Sequence, residues 1–276
     1  MHLSRLERIV QLRGGWNTFD NNETLRCQLF GVDLAGACRR DSRARFPMMP
    51  EALIQEAHST NHSPSIGAYG ISPFLASCMN LYIQDPLLLK AFHDLSIAIN
   101  YVNRKSRRGE QWVNIKFFVF WIDAIVHGLV EQEFLDKSNV LQEFTRLGVL
   151  LFLLKIRRYC GQLGVSMGCS NAKLRSFVSR QRLLGFAVST EKILLWALFM
   201  GLLESREKSD QDCYIKMMTE IAYEIGFWSW AETLAAAKKV VWIQDAFDAE
   251  VKCRDRFEVV LNGLIIWHLS KTHNED

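Results

Sequence analysis

Proline is scarce, with five in 276 residues, and Asn-Gly or Asp-Gly pairs are few. The chain therefore lacks the turn punctuation that an all-β protein places between its strands. The seven cysteines, at 27, 38, 78, 160, 169, 213 and 253, are odd in number and never form C-x-x-C. That excludes a disulfide framework or a cysteine zinc site and points to reduced core thiols in an intracellular protein. Charge of one sign is missing too: a net +3 is too mild to imply nucleic acid or an anionic membrane as a partner. The first residues carry no secretory leader, since Arg5, Glu7 and Arg8 interrupt any apolar run. No internal repeat of 20–50 residues is visible.

What the sequence does have is apolar content, 49% hydrophobic against 23% charged, enough for a large core and too much for disorder. Apolar residues recur at three- and four-residue spacing, which predicts an all-α, multi-helix globular bundle. Its centre is Glu191–Glu204. From Ile193 to Leu203, including Trp196, this stretch carries no charge and no polar stripe, so it must be covered on every side. At about 16 Å of helical rise it reaches only half of a bilayer core.

Helices are also predicted over Leu3–Arg13, stopped by Gly14-Gly15, and over Glu23–Arg40. Others start at Asp85-Pro86, run within Gln111–Phe134, and span Ser138–Tyr159. After the central helix, Gly226 ends one helix and Ser229-Trp230-Ala231-Glu232 starts the next. There the Ser229 hydroxyl accepts from the Glu232 N–H while Glu232 reaches back. Trp228, Trp230 and Trp242 are read as core anchors. A last segment, Trp242–Lys271, shows Val260, Leu264, Trp267 and His268 on a stripe.

Residues with chemical potential are read mostly as structural. Asp33 lies among Leu29, Val32, Leu34 and Ala35, which predicts a buried carboxylate held by one of Arg26, Arg39, Arg40, Arg43 or Arg45. The clusters Arg39–Arg45 and Arg104–Arg108 read as helix ends and solvated turns. His58 and His62 lack a third ligand, and Asp123 with His127 lacks a catalytic third partner. Asp245 and Asp248 lack the adjacent aspartate of a magnesium motif. Gly164-Val165-Ser166-Met167-Gly168 spells a nucleophile elbow, with Asp248 and His268 following in triad order, but a helical pattern stands where the strand should be.

Five stretches together resemble the fungal-specific transcription factor domain, the C-terminal regulatory domain of fungal zinc-cluster transcription factors. They run from His2-Leu3 to Gly14-Gly15-Trp16, from Val32-Asp33-Leu34 to Arg45-Phe46-Pro47, from Leu147-Gly148 to Arg157-Arg158, over Leu194–Leu198, and from Trp228-Ser229-Trp230 to Val241-Trp242-Ile243. The resemblance implies a single all-helical regulatory domain over 1–276, truncated at its N-terminus relative to that family. It also implies a nuclear location and a role in transcription regulation through protein partners or self-association. The family's zinc cluster, with its repeated C-x2-C-x6-C, is absent from these residues. Neither a zinc cofactor nor sequence-specific DNA binding is therefore expected of this chain alone, and the family supplies no catalytic residues. The expected function is a non-enzymatic regulatory and interaction module without its own DNA-binding unit. The alternative is a helical enzyme using Ser166 or an acidic pocket. Asp33, Trp196, Ser229, Trp230 and Glu232 are assigned structural roles.

Overall fold

Among the described residues the three- and four-residue apolar spacing folds as helix. The computed structural model describes residues 2–19, 21–48, 85–107, 121–131, 140–159, 168–180, 190–243, 247 and 253–272. Among these residues the helices are α1 (His2–Leu12), α2 (Glu23–Arg40), α3 (Pro86–Arg107), α4 (Asp123–Glu131), α5 (Val140–Tyr159), α6 (Gly168–Arg180), α7 (Glu191–Glu204), α8 (Lys208–Glu224), α9 (Trp230–Lys238) and α10 (Arg254–Thr272). No strand occurs among the described residues, and the fold is all-α.

The chain divides into two compact units. The first holds α1 to α4, residues 156–159 of α5 and the start of α6. Within it α4 packs against α2 and α3. Pro86 opens α3, where its missing N–H costs no hydrogen bond. Leu88, Phe92, Leu95, Ile99 and Val102, spaced along one face of α3, are all buried. Asn22 caps α2 by accepting from the Leu25 N–H at 3.0 Å. Of residues 4–12 in α1, Val10 alone is buried, while Ile9 and Leu12 face solvent.

The second unit is built around α7. Every residue from Ile193 to Leu202 is buried, as expected of a helix with no polar stripe. Trp196 at its centre donates its indole N–H to the Val241 carbonyl at 2.9 Å. Aromatic edges close over the helix: Phe199 meets Trp230 at 5.1 Å and Trp242 at 6.4 Å, and Trp230 meets Phe257 at 5.1 Å. Helix α8 lies close because Gly201 has no side chain. A Cβ there would stand 2.5 Å from the Tyr214 ring. The Tyr214 hydroxyl passes beyond to Asn171, 2.6 Å from Oδ1 and 3.0 Å from the carbonyl oxygen. Asn171 in turn donates to the Ser205 hydroxyl at 3.1 Å. This buried polar chain fixes α6, the end of α7 and α8 to one another, and burial pushes the Tyr214 phenol's pKa up.

Both predicted helix boundaries after α7 are present. Gly226 takes φ +76, and the N–H groups of Gly226 and Phe227 return to the carbonyls of Tyr223 and Ala222 to end α8. Ser229 accepts from the Glu232 N–H at 3.3 Å. Glu232 reaches one residue farther than the usual box, accepting from the Trp228 N–H at 2.8 Å and the Ser229 hydroxyl at 3.1 Å.

Candidate interaction surface

Helix α10 reads Arg-Asp-Arg-Phe-Glu-Val-Val-Leu-Asn-Gly-Leu-Ile-Ile-Trp-His-Leu-Ser-Lys-Thr, with apolar residues on all sides. Unlike α7, it has only one side covered. Phe257 and Leu261 are fully buried against the unit, and Leu264 and His268 are half-buried. The opposite side leaves Val259 72%, Ile266 67%, Leu269 64% and Trp267 55% exposed. Together these side chains show on the order of 500 Å² of apolar surface, the size of the largest patch on ordinary monomers and a mark of a docking site.

Along one flank of α10 a groove of about 710 Å³ separates it from α8. Its wall is aromatic. The His268 ring stacks on Tyr223 at 4.6 Å and Trp267 meets His268 edge-on at 4.7 Å, while Trp228, outside the groove lining, meets Tyr223 edge-on at 5.6 Å. The Lys271 ammonium lies 5.0 Å from the Trp267 ring centre. Lys216, Glu220 and Glu224 supply a charged rim on the α8 side. Burial, followed by the nearby Glu220 charge, raises the pKa of Glu224. Toward the start of α10 the two helices are clamped by Arg256, which donates to Asp212 at 2.8 Å and to the Gln211 side-chain oxygen at 2.5 Å. An apolar floor with a thin charged rim suits the burial of a partner's apolar side chains.

The residues singled out from sequence have separate fates. Asp33 is 1% exposed, but the groups that meet its Oδ2 are backbone N–H groups, of Arg45 at 2.6 Å and Phe46 at 2.8 Å. The expected guanidinium is replaced by the main chain of one candidate arginine. The Arg45 side chain instead pairs with Glu7 at 3.3 Å. Asp123 and His127 diverge. Asp123 is buried and pairs with Arg157, and burial outweighs that attraction to push its pKa up to about 6. His127 stacks on Phe30, places Nε2 3.4 Å from the Phe46 carbonyl oxygen, and has its pKa lowered by burial. The Cys38 thiol is likewise pushed up to about 12, chiefly by burial, far from any nucleophilic state at neutral pH.

Trp230 and Trp242 are core residues, but Trp228 is 54% exposed, a correction to its reading as an anchor. It stands just before the α9 cap, where its backbone N–H is held by Glu232 and its ring is left over Tyr223. Val260 and Trp267 are also more open than their stripe suggests. His268, the last member of the triad order, is a stacking partner of Tyr223. His58, His62, Ser166, Asp245 and Asp248 lie outside the described residues. Among the described residues, no three His, Cys, Asp or Glu side chains gather as metal ligands, and no helix is long and apolar enough to cross a membrane.

The open face of α10 was missed in the sequence, although its signal is present: apolar residues fall all round a helix that also carries Glu258, Asn262 and Ser270. Comparison with protein-family models, with curated proteins and with solved structures finds no match to this chain.

Proposed function

We propose that this chain is a non-enzymatic regulatory and interaction module of the transcription-regulator kind, working in the nucleus through protein contacts made by α10. The observation that carries the reading is the solvent-facing apolar side of α10 beside an aromatic groove. The buried polar groups that sequence reasoning paired as an acid and a base go to separate structural partners, Asp123 to Arg157 and His127 to the Phe46 carbonyl. The resemblance to the fungal regulatory domain supplies the biological setting.

Fusion of the chain to an unrelated DNA-binding domain tests the reading. Reporter output should change with the wild-type fusion and return to baseline with Ile266→Glu/Leu269→Glu at equal protein level. Output unaffected by the wild-type fusion would defeat it. The zinc cluster that reads base edges in the resembled family is absent from these residues, so duplex binding should be weak, on the order of 10–100 μM near physiological salt, and equal for unrelated sequences. A titration against a panel of duplexes checks this. The alternative hydrolase requires Ser166-dependent, stoichiometric labelling by a fluorophosphonate, and the expected result is labelling no greater than that of Ser166→Ala.

A further inference from the structure

We draw no further inference here: the strongest candidate, the aromatic groove between α8 and α10 with the open apolar side of α10 beside it, carries none, because Lys216 and Lys271 offset Glu220 and Glu224 around it and nothing in the structure shows what covers it.

Discussion

A single buried carboxylate shows how charge is managed in the first unit. Asp33 Oδ2 closes the chain after α2 by taking the N–H groups of Arg45 and Phe46. Asp33→Ala strands both donors, one of them buried, and should cost about 2–4 kcal/mol by chemical denaturation. Asp33→Asn keeps an acceptor oxygen and should cost less than half as much. Asp123 makes a different prediction, because burial raises its pKa from 3.8 to about 6. Its neutral form is the better folded one, so its contribution is fully present below pH 4 and is lost as pH rises to about 6. The melting temperature of wild type relative to Asp123→Asn should therefore fall between pH 4 and 6.5 and level off above that. A difference that rises with pH over this window would mean that the Arg157 attraction outweighs burial.

At the scale of the helix, the close approach of α7 and α8 depends on one missing methyl group. Gly201→Ala must push the Tyr214 ring, whose hydroxyl is held by Asn171. The expected loss is about 1–3 kcal/mol, read by urea denaturation, with Tyr214→Phe in the same background recovering part of it by freeing the ring. Helices are also where the sequence was most readable. The uninterrupted run Ile193–Leu203 announced a covered helix, and Ser229 with Glu232 announced a start, because each is a local pattern with one physical solution. Asp33 was readable as buried but not by partner, since a backbone N–H leaves no letter in the sequence. The open face of α10 was hardest to see. Its apolar residues resemble those of α7, and only the tertiary position of Phe257 and Leu261 decides which side stays wet. Trp228 misled for the same reason, as the capping hydrogen bonds hold its backbone and not its ring.

For the whole molecule, the order of the chain sets a schedule. Helix α7 is apolar on every side, yet Trp230, Val241 and Trp242, which close over one side of it, come 34 to 46 positions after Trp196. Phe152 and Gly148 of α5, made earlier, already meet Trp196 and Ala197, but a ribosome adding about 5–20 residues per second leaves the side facing Trp230 and Trp242 bare for roughly 2–9 s. During that interval it is the kind of segment that chaperones grip and that neighbouring nascent chains stick to. Arrested nascent chains ending just after α7 has left the exit tunnel should therefore crosslink strongly to a ribosome-associated chaperone, and chains that have also released residue 247 should not. Equal crosslinking at both lengths would mean that something else shelters the helix. If the schedule holds, the yield of folded protein depends on how quickly Ser205 to Phe247 emerge after α7, so slow codons among those read while that stretch leaves the tunnel should lower the soluble fraction while leaving the finished molecule unchanged.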